Sequence, residues 1–202
     1  MFLSLEDAYF LLEKELVPEH IVKHSEKVAL VSLFLGCFLK EAGENIDLQS
    51  LVVGALLHDI KKYESILTGV DHAFLGYQIF KKMGYEKIAN IIKAHIRLEN
   101  NPSETPLTEE ELVHYADKRV MHEKIVSLRE RFEDLKIRYG KNKEILLRLQ
   151  SLEETNYLIE KKIFSKIPFS PDIVKKLEKI KEVRDVLSRC IKNCTSCWWD
   201  FI

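Results

Sequence analysis

Residues 51–63 read LVVGALLHDIKKY. From Leu51 to Leu57 no side chain is polar. At 3.6 residues per turn, a helix over this stretch is apolar nearly all round, and such a helix belongs at the centre of a fold. The pattern predicts a helix from Asp47 to Tyr63. Near its end stand an imidazole and a carboxylate, His58 and Asp59. Burying that pair is costly unless something pairs with it. A divalent metal would do so, by neutralising Asp59 and using the lone pair of His58.

Helical patterns extend in both directions. Ser4 with Asp7 reads as a capped helix start. From His20 to Lys40, residues Ile21, His24, Val28, Val31 and Leu35 fall on one side of a second helix. Further helices are predicted over Asp71 to Met83 and Tyr85 to Ile96, followed by a polar loop from Asn100 to Pro106. Thr108 and Glu111 form a capping box that opens a helix through Asp117. No strand signal of any length is present, so the fold class read here is all-α. Seven Gly and five Pro in 202 residues agree with long helices rather than a turn-rich β fold.

Beyond residue 122 the character changes. Ile125, Leu128, Phe132, Leu135 and Tyr139 step by three and four, with charged residues between them. A second amphipathic run leads from Ile145 to Ile159. Two heptads are short for a free coiled coil, so two ordinary helices packed on the body are preferred. The alternative is a helical hairpin that lids the site or makes a dimer. Ser170–Pro171 opens a last helix, running from Val174 through Leu187 to near Cys190. The expected organisation is a metal-binding helical domain over 1–122 and a helical extension over 123–202.

Composition narrows the function classes. With 46% hydrophobic and 31% charged residues the chain can build a packed core. A net charge of −1 makes a nucleic-acid partner unexpected. No apolar run is long enough to span a bilayer and no signal peptide is apparent, so no membrane partner is expected and a cytoplasmic location is. Cys37 stands alone while Cys190, Cys194 and Cys197 crowd the end, too few and badly placed for a disulfide scaffold. The tail spacing C-x3-C-x2-C lacks a fourth ligand for a closed zinc site. The preferred reading is that the Cys and Trp residues of the tail dock onto the body.

Histidine and carboxylate are ligands for Zn, Mn or Fe. Besides His58–Asp59, His24 lies on the inner face of the second helix, and Asp117 lies in HYADKRV. Taken singly, each His is more simply a core or surface residue. Their combination with a His-Asp pair on a buried helix favours a metal site.

The order His24, then ALLHDIKK over 55–62, then YADK over 115–118 resembles the HD-domain superfamily of metal-dependent phosphohydrolases, nearest its HDIG-type subgroup. Lys61 stands where that subgroup has Gly. The resemblance covers roughly residues 20–122 and implies an HD-domain helical bundle with metal ligation by His24, His58, Asp59 and Asp117. Some members hold a second ion, with Asp59 bridging. His72, in a segment like the subgroup's HA…G, and His95, in IIKAHI, fit that role. Ile96 follows His95 where cyclic-dinucleotide phosphodiesterases of the superfamily often show a second His, which weakens that assignment.

The resemblance implies one or two divalent ions per chain: Mn or Fe, with Zn, Mg, Ni and Co as alternatives. The expected substrate is a small-molecule phosphate ester, a nucleotide. Lys62 occupies the position of a Glu in mononuclear nucleotidases. A cation there suits a phosphate oxygen and developing charge, and cannot act as a base. Asp59 and Lys62 are therefore the expected catalytic residues. Arg97 and Arg119 are candidate phosphate contacts. His20 reads as a helix-start residue, His114 as a support for Asp117, and His122 as part of the surface or substrate mouth. The helices of 123–163 are a candidate surface for a homo-oligomer. Two rival functions remain: a diiron oxygenase on the same scaffold, and a nucleotide-binding signalling module without catalysis.

Overall fold

The computed structural model describes residues 2–99, 101–102 and 106–202. The loop expected over Asn100 to Pro106 falls partly outside them. The helices are α1 (Leu5–Lys14), α2 (Glu19–Glu41), α3 (Leu48–Leu57), α4 (Lys62–Thr68), α5 (His72–Lys82), α6 (Glu86–Ala94) and α7 (Glu109–Lys118). A two-residue pair of antiparallel strands follows, β1 (Val120–Met121) and β2 (Lys124–Ile125). Then come α8 (Leu128–Tyr139), α9 (Lys143–Phe164), a 3-10 helix (Pro171–Lys179), α10 (Val183–Asn193) and a last 3-10 turn (Cys194–Cys197). The fold is all-α, with this one minimal hairpin.

Local chemistry explains most boundaries. Ser4 with Asp7 and Thr108 with Glu111 form the two capping boxes expected. A third, Ser127 with Glu130, starts α8 three residues later than the heptad pattern suggests and leaves Ile125 in β2. The central helix is shorter than expected. It ends at Leu57, and His58 to Lys61 make a turn before α4 begins. The last helix is broken in two, because Ile180 is extended between the 3-10 helix and α10.

Helix α3 is buried at every position from Leu51 to Leu57 and packs against α1, α2, α6 and α7. Two glycines set its spacing to the neighbours. A Cβ on Gly54 would lie 2.6 Å from Ile91 of α6, and one on Gly76 of α5 would lie 2.7 Å from Ile92. Glycine at these points lets α3 and α5 both close onto α6. That closeness gathers the C-terminal ends of α3 and α6 and the N-terminal end of α5.

One hydrophobic cluster runs through both the 1–122 and the 123–202 segments, from Leu5 to Trp198. Helices α8 and α9 pack on each other and on α7. The tail docks as expected: Trp198 is fully buried, edge-on to Phe34 of α2. It differs in one respect, since Cys190 and Cys197 are joined in a disulfide. No helix among the described residues is long and apolar enough to cross a membrane.

Candidate metal centre

Two helices end in the same way. His58 caps the C-terminus of α3, and its Nδ1 donates to the carbonyl of Ala55 at 2.7 Å. His95 caps α6, and its Nδ1 donates to Ile92 at 2.6 Å. The last carbonyls of a helix lack intrahelical partners, so a His at this position finds an acceptor three residues back. His24 does the same with a different partner. Its Nδ1 donates to the carbonyl of His122 at 2.7 Å. His122 sits in the turn between β1 and β2 at φ +56°, the left-handed region that a non-glycine residue rarely adopts.

With one proton on Nδ1, an imidazole that carries no second proton presents a lone pair at Nε2. All three Nε2 atoms face carboxylates. His24 Nε2 is 3.0 Å from Asp117 Oδ1 and 3.9 Å from Asp59 Oδ2. His58 Nε2 is 3.4 Å from Asp59 Oδ2 and 3.7 Å from Asp117 Oδ1. His95 Nε2 is 3.6 Å from Asp59 Oδ1 and 3.1 Å from His72 Nε2. His72 Nε2 is itself 3.0 Å from Asp59 Oδ1. Lone pairs facing carboxylate oxygens require something positive between them, either a second proton or a cation.

Two side-chain atoms confirm that demand. His58 Nε2 and Asp59 Oδ1 are buried and have no hydrogen-bond partner among the described residues. The short approaches to Asp59 Oδ1 converge on a point without hydrogen-bonding geometry. His24, His58 and Asp59 offer ligand atoms within 4.8 Å of one another, and so do Asp59, His72 and His95. Asp59 belongs to both groups. The residues therefore fit a metal or a pair of metals.

The electrostatics agree. Burial works against a charged His58, but Asp59 and Asp117 outweigh it and lift its pKa to about 9. A proton thus stands where a cation would. Burial would raise both carboxylates, yet His58, with His72 and His95, holds Asp59 well below the usual range. Lys118, His24 and His58 do the same for Asp117. Burial pushes His95 down to about 4, so it is neutral and ready to ligate.

The sequence-derived candidates divide. His24, His58, Asp59, His72, His95 and Asp117 come together. Lys62 joins them, its Nζ 2.7 Å from Asp59 Oδ2. Arg97 does not. It is exposed and lines a separate depression with Lys93 and Glu110. Arg119 is also misplaced by the sequence reading. It is 1% exposed, and it donates to the carbonyls of Val126 and Pro171, to the Tyr115 hydroxyl and to Glu160. Its guanidinium is a tie between α7 and the extension, out of reach of a ligand.

His114 bonds the end of α6 and helix α9 rather than Asp117. Burial, with Lys118 nearby, pushes it down to about 3. The neutral ring donates from Nδ1 to Ala94 and accepts at Nε2 from Asn156 of α9. Lys118 was missed by the sequence reading. Its Nζ bonds Asp117 Oδ2 and the carbonyl of His95, linking the two metal groups from behind. The only sequence signal was its place in YADK.

Above the centre lies a cleft of about 400 Å³. Its floor includes His24, Asp59 and Lys62, and its rim includes His20, His122 and Ile66. Its far wall is Arg131, Arg138 and Tyr139 of α8. Helix α8 thus walls the cleft while packing on α7 and α9.

The HD domain profile matches residues 21–122. An uncharacterized protein of Methanocaldococcus jannaschii is 29% identical over 161 residues, covering 73% of this chain and 94% of its own length. Ribonuclease Y of Treponema denticola is 29% identical over 100 residues, 49% of this chain and 18% of that protein. No solved structure matches the chain at significant similarity. HD domains bind divalent metals and are for the most part hydrolases of phosphate esters. The matched segment spans α2 through the β1–β2 turn, and so contains all six residues that converge here. The chain belongs to the HD-domain family.

Proposed function

We propose that this protein is a metal-dependent phosphohydrolase acting on a phosphomonoester or phosphodiester of a nucleotide in the cytoplasm. The observation that carries the reading is Asp59. It is shared by two three-residue ligand groups, and its Oδ1 and the neighbouring His58 Nε2 are buried without a hydrogen-bond partner among the described residues. In this reading His24, His58, Asp59 and Asp117 hold one ion, and Asp59, His72 and His95 a second. Mn or Fe suits the donor set best, with Zn, Mg, Ni or Co as alternatives. When bound, such ions supply Lewis acidity and a nucleophilic water at neutral pH.

The chain's own residues do the rest. Asp59 and Asp117, against the pull of burial, keep the Lys62 pKa raised, so Lys62 remains a cation. It neutralises a phosphate oxygen and the charge that builds as the ester bond breaks, and takes no proton. The Nδ1 protons of His24, His58 and His95 are committed to carbonyls, which orients the rings and leaves only Nε2 for ligation. Lys118 and His114 hold Asp117 and the end of α6 in place.

The test is a panel of nucleotide mono- and diesters offered to the full chain loaded with Mn or Fe. Metal-dependent ester cleavage, absent in Asp59→Asn, is expected. No cleavage of any ester, with strict dependence on iron and oxygen, would replace this reading with an oxygenase. Tight nucleotide binding without turnover would replace it with a binding module.

A further inference from the structure

Arg131 and Arg138 lie seven residues, or about two turns, apart on α8 and so share a face. Both line the cleft above Asp59 and Lys62. Their guanidiniums meet at one oxygen. Arg131 Nη1 is 3.5 Å from Asp134 Oδ2, and Arg138 Nη2 bonds the same atom. One carboxylate therefore faces two guanidiniums. Arg131 is under-committed: its side chain is 14% exposed, and its Nε is buried with no hydrogen-bond partner among the described residues. Lys62 lines the same cleft, so three cationic side chains share it. Like charges brought together in a cleft await an anion.

The rim is of a different kind. Tyr139 and Ile66 line the same cleft and are 51% and 71% exposed. Arg138 covers one face of the Tyr139 ring, its guanidinium carbon 5.5 Å from the centroid. The cleft therefore runs from the metal ligands, past Lys62, to a pair of arginines and an apolar, aromatic edge.

We propose that Arg131 and Arg138 form a binding site for a second phosphate group, one that is not the group cleaved at the metal centre. The ligand class is an organic ester carrying two or more phosphates. One phosphate lies at Asp59 and Lys62, the next is held by the arginine pair, and the organic part rests on Tyr139 and Ile66. Asp134 positions both guanidiniums. The site is built by α8, which lies wholly outside the matched family segment of 21–122. The inference deepens the hydrolase reading and rests on it for the first phosphate only.

The experiment is calorimetric binding of inorganic pyrophosphate and of inorganic phosphate to the metal-loaded full chain, with no turnover required. Pyrophosphate is expected to bind at least about tenfold tighter than phosphate, as befits one added charged contact. Arg131→Ala/Arg138→Ala should erase that preference and leave phosphate affinity as it was. Arg129→Ala, on the exposed pair with Glu133, should change neither. Metal content and circular dichroism verify that each variant is folded. An undiminished preference in the double variant would overturn the proposal, and so would an equal loss of both ligands. A preserved preference for pyrophosphate in a chain that cleaves no ester would sink the hydrolase reading while the arginine site stands.

Discussion

At the end of α7, Asp117 and the capping Arg119 are buried charges of opposite sign, on either side of buried Lys118. They share a helix end, and they differ in company. Arg119 donates from Nε, Nη1 and Nη2, to two carbonyls, a hydroxyl and Glu160. Asp117 faces imidazoles whose lone pairs point at carboxylates, next to His58 Nε2 and Asp59 Oδ1, which have no hydrogen-bond partner among the described residues. Burying polar groups costs stability unless they are paired. Around Arg119 the chain pairs its own groups. Around Asp59 it leaves the pairing to something from outside. Satisfaction of buried atoms, rather than residue type, separates a structural tie from a ligand site.

The largest effect should come from the under-satisfied side. Asp59→Asn removes the carboxylate common to both ligand groups. Bound metal should disappear and turnover fall by more than about a hundredfold. Elemental analysis beside an ester-cleavage assay checks this, and full metal retention would break the contrast.

On the satisfied side the effect should be on folding. Arg119→Ala leaves the partly exposed Glu160 beside Tyr115 without its cation and two carbonyls without their donor, and should cost about 1–3 kcal/mol in denaturant unfolding. Molecules that fold should still bind metal. Unchanged stability with lost activity would return Arg119 to the site. Gly54→Ala tests the packing that joins the two sides. A Cβ there meets Ile91, and the overpacking should cost about 1–3 kcal/mol.

The last effect is confined to acid pH. His114 is held neutral, its pKa lowered to about 3 by burial and Lys118, against 6.5 when unfolded. The unfolded chain therefore takes a proton that the folded chain refuses. Stability from this group is full above 6.5 and is lost as pH falls from 6.5 toward 3, by up to about 1.4 kcal/mol per pH unit. His114→Gln should flatten that slope by about one proton in chelator-treated protein. An unaltered slope would show that His114 is hydrated.

The sequence exposed the candidate ligands because His and Asp recur at fixed places on strongly periodic helices: His24 on α2, His58–Asp59 after a wholly apolar run, Asp117 at the end of α7. It could not separate Asp117 from Arg119, because the groups that satisfy Arg119 lie at Val126, Glu160 and Pro171, and a spacing pattern does not show such partners. It placed Arg131 among charges between heptad positions and gave Arg138 no role. It ran α3 on to Tyr63 because apolar Ile60 continues the stripe past the turn at His58. The break at Ile180 was hidden in the same way, since Val174, Leu177, Ile180 and Val183 keep helical spacing across it.

The most direct measurement is metal content per chain in untagged protein purified without chelator or oxygen and then saturated with Mn or Fe. Two ions are predicted, falling to one in His72→Ala and to none in Asp59→Asn. A chain that takes up no ion, or whose stoichiometry is the same in all three proteins, would contradict a centre built on a shared Asp59.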